Sequence, residues 1–154
     1  MNDEIKTTAE MVEAAALPKA RVVHLKDCAP TAEQQPLPEG VAKTPLSQKS
    51  PAEWAYERLV LYIQNFEQQL DANQEVAMGF TGGDAGVMRI EGMGFYAPDI
   101  ITFYGSDPSG TKTQQIQHVS QLNVMLRALP KEVDQPEPNR IGFRLAQQLE
   151  KGDE

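Results

Sequence analysis

The chain has a single cysteine, Cys28, in 154 residues. One thiol cannot close an internal disulfide or build a multi-cysteine zinc site. No apolar run approaches the ~20 residues that a membrane-spanning helix needs. Residues 1–17 have neither the basic start nor the continuous apolar stretch of a secretory signal. These absences lead to the expectation of a soluble, cytoplasmic, bacterial-type protein with no membrane association. Basic residues are also scarce: 14 Lys and Arg face 22 Asp and Glu, giving a net charge of -8. Nonspecific nucleic-acid affinity depends on clustered Lys and Arg, so this balance argues against a general phosphate-binding surface. The length, 17.0 kDa in all, suits one domain with tails.

Aromatic residues are absent from the first 53 positions, and all ten lie between Trp54 and Phe143. Residues 1–49 hold five of the eleven prolines, seven acids and six bases, with only scattered aliphatics. A segment so poor in large apolar groups is expected to be a disordered N-terminal arm that contributes little to stability. Two local features stand out within it. Thr8–Leu17 has the composition of a transient helix, and Val22-Val23-His24-Leu25 could dock as a strand on a partner's sheet edge.

The character changes at Ser50. Ser50-Pro51-Ala52-Glu53 is a capping box with proline at the first helical position, where no amide donor is needed. Apolar residues then recur at Ala55, Leu59, Tyr62/Ile63, Phe66 and Leu70, a helical spacing that ends near Asp71-Ala72-Asn73. Beyond this the period becomes two. Val76, Met78 and Phe80 alternate with Glu75, Ala77 and Gly79, as in a strand with one buried face. A second strand over 86–96 places Met88 and Ile90 on one face with Gly92 and Gly94, two glycines that predict a sharp bend or bulge. Ile100–Tyr104, Thr111–His118 and Asn123–Leu129 complete five short strands, read in meander order, with a turn over Val119–Leu122. Residues 130–139 are a proline-rich linker. Residues 140–151 form a C-terminal helix with Ile141, Leu145 and Leu149 on one face, capped by Asn139 and weakened in its first turn by Gly142. The expected fold class is α+β: a leading helix, a small and strongly bent five-stranded antiparallel meander over 50–129, and a C-terminal helix. A core of roughly 80 residues hides only about 60% of its unfolded surface. Pairing between subunits would compensate, so a homo-oligomer is expected.

Ser50 to Leu149 resembles a family of bacterial domains of unassigned function. The residues that carry this are Pro51-Ala52-Glu53-Trp54-Ala55-Tyr56-Glu57-Arg58-Leu59, Pro98-Asp99-Ile100-Ile101-Thr102-Phe103-Tyr104-Gly105, Ile116-Gln117-His118-Val119-Ser120-Gln121-Leu122 and Arg140-Ile141-Gly142-Phe143. A more distant likeness joins the leading helix, the bent glycine-bearing second strand and the 116–122 turn. These are similar to the Sm-like barrel of the bacterial RNA chaperone. In that family the corresponding turn carries a Lys-His pair that binds uridines in a ring pore. Here His118 matches and Gln117 stands where the lysine would be, a departure that weighs against RNA binding.

The chemistry-bearing residues are few. The only histidines are His24 and His118, and no second histidine or cysteine of the core joins His118 in a metal site. A Ser120–His118 dyad lacks a third orienting group, so no catalytic residue is assigned and no enzyme, metal or cofactor is expected. The glycines at 79, 82, 83 and 86 fit a hairpin turn, since no phosphate-loop spacing or following helix accompanies them. Candidate binding residues are His118, Gln117 and Gln121 in the turn, with Trp54 and Tyr56 as a stacking platform. Against this, aromatics at that spacing more commonly pack a core. Two functions follow: a self-associating adaptor that holds an unidentified protein partner, or an Sm-like oligomeric binder of single-stranded RNA. The strand over 123–129 is an apolar edge guarded only by Arg127. It is expected to pair with another subunit or to be covered by the C-terminal helix.

Overall fold

The computed structural model describes residues 19–80 and 86–151. It is an α+β domain in which two helices cover one face of an open five-stranded antiparallel sheet. The elements in chain order are α1 (Glu39–Ala42), α2 (Pro51–Glu67), β1 (Gln74–Phe80), β2 (Val87–Tyr96), β3 (Ile100–Ser106), β4 (Lys112–His118), β5 (Val124–Pro130) and α3 (Ile141–Lys151). Short 3-10 turns lie at Ala32–Gln34, Leu46–Gln48 and Val119–Gln121.

Helix α2 starts where the sequence places it. Ser50 Oγ accepts from the Glu53 amide at 3.1 Å, and Pro51 occupies the first turn. Its buried positions are Ala52, Ala55, Val60 and Ile63, joined by two acids, Glu57 and Glu67. The sheet order is β4-β3-β2-β1-β5. Strands β1 to β4 pair in sequence, and β5 returns to the far side of β1 over seven paired positions, from Gln74↔Pro130 to Phe80↔Val124. The sheet therefore does not close, and β4 and β5 are its edges.

The expected irregularity in β2 lies between Ile90, which faces Gly105, and Gly92, which faces Tyr104. Glu91 is the extra residue of this bulge. A one-residue insertion flips the alternation of everything beyond it. Met88 and Ile90 point into the core before the bulge; after it Met93, opposite Phe103, joins them, and Phe95 meets Tyr56 of α2 at 5.2 Å between ring centroids. Strict alternation would have sent Met93 and Phe95 outward. Phe80 and Phe103 meet edge to face at 5.0 Å, close to the middle of the core.

The largest departure from expectation concerns the segment before α2. Residues 30–49, read as part of a disordered arm, pack on α2 and α3, while residues 1–18 and the Thr8–Leu17 helix lie outside the described residues. Val41 of α1 is only 1% exposed. Asn65 donates to the Pro30 carbonyl at 2.8 Å, and Tyr62 bonds to Glu33. Lys49 Nζ meets Glu57 Oε1 at 2.6 Å, and the side chains are 2% and 8% exposed. One buried aliphatic and one buried ion pair thus anchor a segment whose mean composition is that of a tail. The patch at Val22–Leu25 forms no strand, and Val23 and Leu25 are exposed.

The C-terminal segment is held by two further buried acids. Glu75 on β1 bonds Arg89 at 3.0 Å and accepts from Gln135 Nε2 at 2.6 Å and the Asn139 amide at 2.7 Å. The proline-rich stretch is in this way laid along the sheet. Glu67 on α2, 5% exposed, accepts from the amides of Gly142 and Phe143 at 3.0 and 3.2 Å. Its carboxylate caps α3, the role assigned from sequence to Asn139. Gly142 is required by this approach: a Cβ there would lie 2.7 Å from Glu67 Oε1 and 2.9 Å from the Gln64 backbone nitrogen. At the other end of α3 a Cβ on Gly40 would lie 1.9 Å from the Leu149 carbonyl oxygen. Burial of Glu67 pushes its carboxyl above the usual value, and its bonds to the α3 amides oppose that shift.

Two predictions follow from these buried charges. Lys49→Ala, which withdraws a cation from buried Glu57, is expected to lower unfolding free energy in urea by about 3 kcal/mol. Exposed Lys43→Ala should stay within about 0.5 kcal/mol of the parent. An equal, small effect at both positions would mean that the 30–49 segment is not anchored through this pair. The raised folded pKa of Glu67 makes the native state bind more protons than the unfolded chain, so this group's contribution to stability falls as pH rises through the interval between the two values. Glu67→Gln cannot titrate there. The unfolding free energy of the parent minus that of Glu67→Gln should therefore decline as pH rises above the ordinary glutamate value of about 4.3, and a difference that grows there would reverse the assignment.

Candidate functional site

The β2–β3 turn, the start of α2 and the turn after β4 meet at one corner of the sheet. The Ala52 amide donates to the Pro98 carbonyl at 2.9 Å, and the Val119 amide donates to the Asp99 carbonyl at 2.7 Å. These two bonds lock the corner, because β3 and β4 pair up to Ile100↔His118 immediately beside it. His118 caps the 3-10 turn at Val119–Gln121: its Nδ1 accepts from the Ser120 amide at 3.1 Å, and Gln121 Oε1 accepts from the His118 amide at 3.0 Å.

The third group missing from the sequence reading of Ser120 and His118 is Asp99. Its Oδ2 lies 3.2 Å from His118 Nε2, while Ser120 Oγ lies 2.8 Å from His118 Nδ1. An amide can only donate, so the Ser120 N–H fixes the lone pair on Nδ1 and leaves the ring proton on Nε2, facing Asp99. The order of groups is that of a serine–histidine–aspartate relay. His118 and Asp99 are both exposed. As a cap of the turn the arrangement is complete: Nδ1 and Gln121 Oε1 each take a backbone amide.

The other candidate residues separate. Gln117 pairs with Ile101 and shares its inward face; it is 8% exposed, and its Oε1 has no hydrogen-bond partner among the described residues. It therefore sits in the core beside the corner rather than next to His118 on the surface. Strand alternation alone sends neighbours to opposite faces. The outward face carries Tyr104, Ile116 and His118 in successive rows, and Ile116 is 62% exposed. Tyr56 turns to the core against Phe95, and desolvation raises its hydroxyl pKa. Trp54 lies on a different side of α2, where Lys49 Nζ and Arg58 Cζ approach its ring centroid at 5.2 and 4.5 Å. The two aromatics do not form one platform.

Helix α3 packs against α2, α1 and β2, and among the described residues no strand pairs with the outer edge of β5. Met125 of this strand is 58% exposed. The bare edge had a signal in the sequence, the apolar run with Arg127 as its one charge. The Asp99–His118 contact had none, because nineteen positions separate two ordinary turn residues. Among the described residues no three His, Cys, Asp or Glu side chains are grouped to hold a metal, and no helix is long and apolar enough to cross a membrane. Cys28 is exposed and free.

No curated protein and no solved structure matches the chain. A family model matches residues 46–144, which hold α2, the whole sheet and the first turn of α3. The chain belongs to that family, described as a family of unknown function, DUF6173.

Proposed function

We propose that the protein is a non-enzymatic interaction module of the bacterial cytoplasm that associates with a second copy of itself through its sheet edges and in that form serves as an adaptor for a protein partner. The single observation that carries this reading is the bare β5 edge, seven residues long and apolar but for Arg127. An edge strand presents a row of unpaired N–H and C=O groups, and soluble proteins normally pair, cover or charge it. Here neither helix covers it. Residues 30–49 and α3 are engaged with α2, which leaves the sheet edges and the Tyr104–Ile116 face among the surfaces open to a partner.

The RNA-binding alternative rests on the leading helix, the bulged β2 and the His118 turn. Burial of Gln117 removes one of the groups it would use, and the acidic charge opposes phosphate binding.

Light scattering on the full chain tests the proposal. The expected mass is at least twice 17.0 kDa, and Met125→Lys, which adds a charge to the edge, should shift the chain toward monomer at concentrations up to roughly 100 μM. A parent chain that stays monomeric over that range would overturn self-association. Single-stranded RNA bound at nanomolar Kd with a steep salt dependence would replace the adaptor reading by the RNA one.

A further inference from the structure

On the side of α2 away from the sheet, the anchored segment before the helix stands clear of it and leaves a cavity of about 750 Å3. That volume falls within the range of small-molecule sites. Its walls are mainly apolar: Ala32, Leu37 and Leu46 from the segment, and Trp54, Leu61 and Tyr62 from α2. Trp54, Arg58, Leu61 and Tyr62 lie at spacings of four, three and one, so a single face of α2 forms one wall.

The charges at this cavity are unequal. Glu33 is already bonded to the Tyr62 hydroxyl, which holds its carboxyl below the usual value. Arg58 and Lys19 also line it. Arg58 stacks on Trp54, and its Nε donates to the Trp54 carbonyl at 3.2 Å. No acid lies within ion-pair distance of it among the described residues. With Nε committed to the Trp54 carbonyl, the two terminal nitrogens of the exposed guanidinium remain to donate, the pair that takes a carboxylate bidentately. Partial burial on the indole lowers the pKa of Arg58 from its usual value without removing its charge.

We propose that this cavity binds an amphipathic organic monocarboxylate, its apolar chain or ring between Leu37, Leu46, Leu61 and Trp54 and its carboxylate on Arg58, with Lys19 at the rim. Charge complementarity selects the anion, and the apolar walls select the rest of the molecule. An uncharged analogue would leave Arg58 without an acceptor, and an inorganic anion would gain nothing from the walls.

Trp54 is the only tryptophan in the chain, so its emission reports on this site alone. The full-length protein is titrated with n-decanoate below its micellisation concentration, with n-decanol and inorganic phosphate as the uncharged and purely ionic comparisons. Calorimetry on the same samples provides a measurement independent of the indole. Decanoate should give a saturable change in emission, decanol should bind about tenfold more weakly, and phosphate should leave the emission unchanged. Arg58→Gln should abolish the difference between acid and alcohol while the melting temperature stays as in the parent. Arg58→Lys, a point charge without the planar fork, should retain part of it. Failure of decanoate to saturate, equal affinity for decanoate and decanol, or a difference that survives in a folded Arg58→Gln variant would each overturn the proposal. Should Arg58→Gln unfold, the parent's comparison of decanoate with decanol decides alone.

Discussion

The carboxylate of Glu67 holds the domain's two long helices together, and much of the remaining packing depends on that contact. A buried acid is unfavourable unless its oxygens are satisfied. Here they accept from two amides at the start of α3, groups that would otherwise be unpaired donors at a helix end, and the helix dipole favours negative charge there. The same geometry forces Gly142 against the backbone of α2 and so sets how closely the helices approach. With α3 placed, Leu145 and Ala146 complete the core over β2, and the far end of α3 receives Gly40 of α1. The segment before α2 is thus shaped by a helix that follows it by nearly a hundred residues.

Two more acids act on the same principle. Glu57 holds Lys49 and thereby the chain entering α2, and Glu75 holds Arg89 together with the chain between β5 and α3. Glu57 and Glu75 each fasten a segment that composition describes as tail or linker, and hydrogen bonds to buried carboxylates add specificity to the little apolar surface those segments bring. Pairing also explains how a chain with so much negative charge tolerates acids inside: Lys49 and Arg89 neutralise two of the sites, and Glu67 responds by holding its proton more tightly.

What was legible in the sequence was whatever depends on near neighbours. The Ser50 cap, the period of α2 and the turn at Val119–Gln121 are encoded within a few positions, and they are present; β1 is a strand as expected, but Glu75, Val76, Ala77 and Met78 are all buried, because it lies inside the sheet between β2 and β5 instead of showing one face to solvent. The glycines of β2 marked the bulge as well, although not which way the side chains beyond it would turn. Contacts between distant residues were not legible. Asp99 beside His118, Glu67 under Gly142 and Glu57 on Lys49 each join polar residues that look solvent-facing in their own local pattern. The pairing of β5 with β1 belongs here too, because a run of short strands reads as a meander until the register of the whole sheet is known. Gln117 and His118 show the limit at the candidate site: a resemblance placed them as a pair, whereas strand alternation sends them to opposite faces.

That separation bears on what the surface can recognise. On the outer face, Tyr104, Ile116 and Met125 are exposed without a layer of helix above them, while the charged groups of the core are largely turned inward and satisfied by one another. Removing the buried pairs from the count leaves the exterior strongly acidic, since each pair cancels itself. A polyanion approaching this face would meet repulsion at long range and only sparse cations at contact. An apolar, hydrogen-bonding partner would instead meet two strand edges that are unpaired among the described residues and the exposed Tyr104, Ile116 and Met125, and a second copy of the same sheet has both features. Of the cations without an ion pair among the described residues, Arg58 lines the cavity beside α2, whereas Lys112 and Arg127 lie on the edge strands. On the two proposals made above, α2 stands between the surface offered to another sheet and the cavity offered to a small anion.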